Sequence, residues 1–218
     1  MLIEVAREKM ITQQVRAWDV LDEGVLELMR RVPRERFVPP RYTELAFADT
    51  EIPLGHGERM LAPKVVGRIL QAIEPGATDS ALEVGTGSGF LTACLAARCR
   101  SVRSLEIHHD LADAARERLR AAGAGNAEVL AADAYATGAL GERDYDVIVV
   151  TGSLPVEDPR FEQRLAIGGR LFVVVGEPPV MEARLVRRVG ATQWSSESLF
   201  ETSLRALSGA LRREGFRF

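Results

Sequence analysis

The chain has 218 residues, 46% of them apolar and 27% charged, with 19 Gly, 10 Pro and a net charge of -3. These are the proportions of an ordinary globular domain and exclude collagen, coiled coil and disorder. At this length roughly 70% of the unfolded chain's surface is buried on folding, so neither disulfides nor a structural metal is required. The acidic balance supplies no long-range positive field, which argues against general nucleic-acid binding.

No apolar run approaches the roughly 20 residues of a membrane span. The N-terminal "MLIEVAREKMITQQ" mixes charges of both signs early, unlike a targeting segment. A cytoplasmic protein, monomeric or homodimeric, is expected. Cys94 and Cys99 match neither a zinc knuckle nor a redox pair and are expected to be small buried hydrophobes.

From Met1 to about Ile52 the pattern is helical, Val5, Met10, Ile11 and Val15 recurring on one face. Asp22 is placed to cap a second helix carrying Val25, Leu26, Leu28 and Met29, which Pro33 ends. "RVPRERFVPPRYTELAFADTEIPLGHGERMLAP" is too rich in Pro and Gly for one regular element and reads as an irregular arm.

After Pro63 strands and helices alternate, the order that builds a parallel sheet covered on both faces. Helix Lys64 to Ile73 leads to strand "SALEV". Helix "FLTACLAARC", strand "SVRSLEI" and helix "DLADAARERLRAAG" follow, the last with Leu111, Ala115 and Leu119 on one face and Gly123 at its stop. "AEVLAAD" is the third strand, and "YDVIVVTG" has the unbroken apolar run of a strand buried on both sides. Asp158-Pro159 opens a helix, "GGRLFVVVG" is the fifth strand, and "MEARLVRRV" and "TQWSSESLFETSL" are two more. The expected fold is α/β, a doubly wound, mostly parallel seven-stranded sheet of Rossmann-like type. Residues 1–63 are expected to form an N-terminal helical extension with an irregular loop, and 64–218 the sheet domain.

Glu83-Val84-Gly85-Thr86-Gly87-Ser88-Gly89 lies between the first strand and its helix. Glycines at alternate positions let the backbone turn tightly and approach a ligand closely. The spacing departs from the G-x-G-x-x-G of a pyrophosphate loop, and an anion would be repelled by Glu83 where a cation would not. Glu106 ends the second strand about 20 residues after the first glycine, where an open α/β sheet presents a carboxylate to ribose hydroxyls. Asp133, at the end of the third strand, is placed to accept from an exocyclic amine. All three features lie on the ligand-binding rim of such a sheet.

"LEVGTGSG", Glu106, Asp133 and "YDVIVVTG" resemble the motifs of class I methyltransferases that use S-adenosyl-L-methionine. The resemblance implies a cofactor site of Glu83, Gly85, Thr86, Gly87, Ser88 and Gly89, with Glu106 and its neighbour Ile107 at the ribose, Asp133 and Ala134 at the adenine, and Thr151 at the end of the fourth strand. "VPRERFVPPRYTELAFADTEIPLGHGERMLAP" extends it: almost from end to end the chain is similar to the protein-L-isoaspartate O-methyltransferase family. That implies a protein or peptide partner with an isoaspartyl residue. In the family a Thr-Ile-Ser tripeptide precedes an Ala-Pro or Gln-Pro step; here Arg59-Met60-Leu61 stands in its place.

Leu61 can donate no hydrogen bond, and desolvating a carboxylate without replacement bonds costs several kcal/mol in rough terms. Arg59 is the candidate substitute, since a guanidinium can grip a carboxylate through two parallel bonds; the alternative is a solvated loop residue. His56, between Gly55 and Gly57, is a candidate proton acceptor for a neutral nucleophile or, more in keeping with its setting, a side chain that holds a neighbouring group by a hydrogen bond. Thr151 and Ser153 are candidate pocket residues. His108 and His109 do not suggest a metal site, and none is expected. Trp18 and Trp194 are expected as core or arm anchors. Two alternatives stay open: the same cofactor site serving another acceptor (a small molecule, another protein carboxylate or RNA), or a cofactor-binding homologue that transfers nothing.

Overall fold

The computed structural model describes residues 2–212; Met1 and 213–218, the outer ends of the two expected segments, lie outside them. Helix α1 (Leu2–Met10) runs into a π-helical turn at Ile11–Val15. Helix α2 (Glu23–Arg31) starts where the Asp22 carboxylate accepts from the backbone N of Gly24 and Val25 at 2.7 and 3.1 Å. It ends at Val32, pushed out of helical geometry by the proline that follows. Val25, Leu26, Leu28 and Met29 are buried, as their spacing requires.

The arm is less irregular than its composition suggests. Ile52–Gly55 (β1) and Glu58–Met60 (β2) pair as an antiparallel hairpin. Its two-residue turn, His56-Gly57, has φ of 53° and 78°, the positive angles of a tight hairpin whose twist matches its strands. Histidine is among the few side chains that tolerate that region.

Helix α3 (Pro63–Ile73) precedes β3 (Ser80–Val84), α4 (Phe90–Ala96), β4 (Ser101–Glu106), α5 (His109–Ala121) and β5 (Ala127–Ala131). Then come β6 (Tyr145–Leu154), the short α6 (Pro159–Glu162), β7 (Leu165–Glu177), β8 (Val180–Gly190) and β9 (Gln193–Glu201). The large sheet has the order β5-β4-β3-β6-β7-β8-β9. Its first five members are parallel, and β8 and β9 are added antiparallel. Val147 to Val150 of β6 are fully buried, the expected signature of a central strand.

Strand order reverses between β3 and β6, so the chain leaves β3 and β6 on opposite sides and opens a crevice at their carboxyl ends. Two further pieces cover it. Side chains of the arm, among them Ile11, Met29, Phe37, Ile52 and Met60, enter the same buried cluster as Phe90, Val149 and Phe172 of the sheet layer. Residues 202–212 return to the rim: Ser153 N donates to Arg205 O, and Leu207 N donates to Ser153 O, both at 2.8 Å. Cys94 and Cys99 are free and buried, and burial pushes both thiols up. Neither tryptophan is a core residue; Trp18 packs under Lys64 and edge-on to Phe200, and Trp194 donates to Glu162 O.

Candidate active site

The glycine loop is tied to the neighbouring strand, Gly85 N and Thr86 N both donating to Leu105 O at 2.8 and 3.1 Å. At Gly85 (φ 95°) a Cβ would lie 2.2 Å from Thr151 Oγ1. That hydroxyl faces the carbonyls of Val84 at 3.0 Å and Gly85 at 2.8 Å, locking the end of β3 to β6. Gly87 (φ 53°) passes under Leu54 of the hairpin, whose Cδ1 would be 3.1 Å from a Cβ. The loop is bare because two neighbours touch its backbone, and the same bareness leaves its upper side open to a ligand.

Side chains of the loop point beneath it. Thr86 Oγ1 is 2.5 Å from Ser104 Oγ, and Ser88 Oγ accepts from Phe90 N at 3.3 Å, so both are buried braces under the backbone. Gly89 admits α5, Ala115 Cβ lying 3.4 Å from where its own Cβ would be. Glu83 is fully buried; its Oε2 accepts from Thr92 Oγ1 at 2.5 Å and Ser104 Oγ at 2.6 Å, while Oε1 has no partner. Burial pushes its pKa up to about 7 against those two bonds.

Glu106 closes the opposite wall. Its Oε2 accepts from Gly87 N at 2.7 Å and its Oε1 from His108 N at 3.1 Å. A carboxylate has about four lone-pair positions, so each oxygen keeps capacity toward the cleft. Asp133 Oδ1 accepts from Tyr135 N at 2.8 Å, which fixes the turn after β5. Gly85, Gly87, Glu106, Ile107, Asp133, Ala134 and Thr151 line one cleft. Expected cofactor residues Thr86, Ser88 and Glu83 instead border a smaller recess under the loop, which Arg59, Met60 and Leu61 close from the other side.

The far end of the main cleft is made by the hairpin and the returning C-terminal segment: Glu51, Leu54, Glu58, Arg59 and Leu61 from one, Leu204 to Ser208 from the other. The Arg59 side chain is 57% exposed, its Nε 3.9 Å from Glu51 Oε2. Desolvation raises the Glu51 pKa more than Arg59 lowers it. Leu61 presents its side chain to the cleft, and its carbonyl accepts from Arg34 at 2.8 Å. Arg34 is a buried cation with no carboxylate paired to it among the described residues; Nε donates to Ala46 O at 3.0 Å, and its guanidinium lies 5.1 Å from the Phe90 ring centre. Burial lowers its pKa to about 9.

His56 is a correction to the expected set, because it does not line the cleft. The tight turn carries it past the rim onto α5, where Nε2 lies 3.0 Å from both Asp110 carboxylate oxygens and its ring stacks 4.1 Å from that of His108. It latches the hairpin. Ser153 is also off the cleft, since β6 continues past it: buried, it donates to Leu204 O at 3.1 Å and anchors the C-terminal segment. Among the described residues no group of three or more His, Cys, Asp or Glu could hold a metal.

Sequence reading missed Glu51, Glu58, Leu54, Arg205 and the buried Arg34. A G-H-G turn between β-compatible residues was the available signal for the first three. Arg205 had none, since its segment meets the rim only through tertiary packing.

Residues 5–203 match the model of the protein-L-isoaspartate(D-aspartate) O-methyltransferase family. The chain belongs to this family. As such it is a methyltransferase that uses S-adenosyl-L-methionine. A protein-L-isoaspartate O-methyltransferase 2 of Pelobacter propionicus is 37% identical over 211 residues, covering 95% of this chain and 92% of that one. One from Methanoculleus marisnigri is 39% identical over 189 residues, covering 86% and 85%. Among solved structures, a Plasmodium falciparum protein described as a protein-L-isoaspartate O-methyltransferase, in complex with S-adenosyl-L-homocysteine, superposes with a TM-score of 0.79. It covers 92% of this chain and 97% of that one; at 20% identity the likeness speaks for the fold.

Proposed function

We propose that this chain methylates the free carboxylate of isoaspartyl residues, with the nucleoside of its cofactor along the glycine loop and the acceptor between the hairpin and the C-terminal segment. The observation that carries the reading is that one cleft joins a bare backbone loop and two rim carboxylates at one end to an exposed guanidinium at the other. Glu106 has lone pairs for two ribose hydroxyls, and Asp133 for an amine, with Ile107 and Ala134 as apolar walls for a base. S-Adenosyl-L-methionine supplies an electrophilic methyl group.

A carboxylate is already ionised at neutral pH, so the protein must align and partly desolvate the acceptor rather than deprotonate it. This agrees with a histidine that lies off the cleft. Arg59 is the donor that the family's tripeptide would otherwise provide, and Leu61 keeps water from the reacting oxygen. A cytoplasmic setting belongs to the same proposal, supported by two buried, unpaired cysteines. No helix among the described residues is long and apolar enough to cross a membrane.

Incubation of an isoaspartyl peptide with methyl-labelled cofactor is expected to give a base-labile ester that releases labelled methanol. Folded protein that binds S-adenosylhomocysteine yet transfers no label overturns the reading. A second reading, the same cofactor site with another acceptor, is favoured by the missing hydroxyl at Leu61. Arg59→Thr with Leu61→Ser separates the two: appearance of isoaspartyl activity absent from wild type supports the altered acceptor.

A further inference from the structure

The acceptor end of the cleft holds a second guanidinium. Arg205 lines the cleft with its side chain 55% exposed, and its closest ion pair is Nε to Glu58 Oε1 at 3.3 Å. Its main chain is held firmly: the Arg205 carbonyl accepts from Ser153 N at 2.8 Å, Ser153 Oγ holds the carbonyl of Leu204, and Gly152 lets Leu207 approach to 3.1 Å of where a Cβ would stand. The guanidinium lies against the hairpin turn, its Nη1 2.0 Å from where a Cβ on Gly57 would stand.

Arg59 and Arg205 therefore come from separate elements, and each has its own glutamate, Glu51 at 3.9 Å and Glu58 at 3.3 Å. Both contacts use Nε and neither is the two-bond grip a guanidinium can make with a carboxylate. Burial raises the Glu51 pKa, and Glu58 also lies 3.9 Å from His108 Nε2. The mouth already accommodates two carboxylates, one per guanidinium, in positions that an incoming pair can take over.

We infer that Arg205 is a specificity-determining residue, and that with Arg59 it selects an acceptor with a second carboxylate close to the one being methylated. An isoaspartyl residue followed by an acidic residue has this chemistry; so does a free short dicarboxylic acid. The inference rests on the proposed methylation of carboxylates.

The test compares two peptides that differ only in the residue after the isoaspartyl position, Glu or Gln, with succinate as a third acceptor. Wild type should favour the Glu peptide in kcat/KM by about tenfold, the scale of one charge-assisted contact. Arg205→Met should bring that ratio close to one while S-adenosylhomocysteine still binds, and Arg205→Lys should restore part of it. Transfer to succinate with the same dependence on Arg205 supports the inference and moves the acceptor from peptides to small molecules. Equal transfer to both peptides by wild type, or an unchanged ratio in Arg205→Met, overturns it. No transfer to any of the three acceptors overturns the proposed function itself.

Discussion

The two ends of the cleft are built in different ways. The end proposed for the cofactor is made by the tips of β3, β4, β5 and β6, adjacent strands in one register, each contributing a residue within a few positions of its last hydrogen bond. The acceptor end is assembled from a hairpin near residue 55 and a segment near residue 205, brought together by Gly57 and Ser153. One end is set by sheet geometry and the other by packing, so the first resists variation that the second can absorb. A change at Arg59 or Leu61 alters the hairpin wall, and both residues also border the recess under the glycine loop.

That separation can be broken experimentally. The largest effect is expected for Glu106→Ala, which removes the proposed ribose acceptor and the clasp on Gly87 N: S-adenosylhomocysteine affinity should fall about 100-fold, the scale of two hydrogen bonds to a charged group. Titration calorimetry reads it, and a change within threefold would detach Glu106 from the nucleoside.

Next is Arg34→Lys, which cannot hold the carbonyls of Ala46 and Leu61 with one planar fork. A loss of about 2 kcal/mol is expected in urea unfolding. If stability is unchanged, the acceptor loop is not anchored through this buried cation. Arg59→Met should then raise KM for an isoaspartyl peptide about tenfold with cofactor affinity intact; weakened cofactor binding would show that the two ends are not separable.

The smallest effect concerns pH. Folded Glu83 keeps its proton up to about pH 7, whereas unfolded chain releases it near 4.5. Between those values the folded state binds more protons, so this group's contribution is complete below 4.5 and is lost as pH rises through about 7. Glu83→Gln should therefore flatten the decline in melting temperature between pH 5 and 8, and an identical slope in both proteins would contradict the burial argument.

Much of the end proposed for the cofactor is legible in the sequence. The strand patterns mark all seven strands of the large sheet, and the rule that ligands bind at the carboxyl ends of such strands points to Gly85, Glu106 and Asp133, which line one cleft. Side-chain direction was not legible: Thr86, Ser88 and Glu83 share the loop but point beneath it, because a chain that turns this tightly alternates faces. The acceptor end was legible only at Arg59 and Leu61, where a departure from a familiar pattern stood out. Hairpin β1–β2 was hidden by Pro and Gly, which mark turns as readily as disorder. The place of His56 on α5 is fixed by that turn, which composition alone did not reveal. Arg205 reaches the rim through contacts spanning about 50 residues of sequence, which no local pattern encodes.

The most direct test is a crystal of this protein grown with S-adenosylhomocysteine. The account predicts ribose hydroxyls within hydrogen-bonding distance of the Glu106 carboxylate, the base between Ile107 and Ala134 with its amine toward Asp133, and the sulfur facing Arg59 and Leu61. A nucleoside bound away from the Gly85–Gly89 loop, or bound there with its sulfur turned from the hairpin, would contradict it.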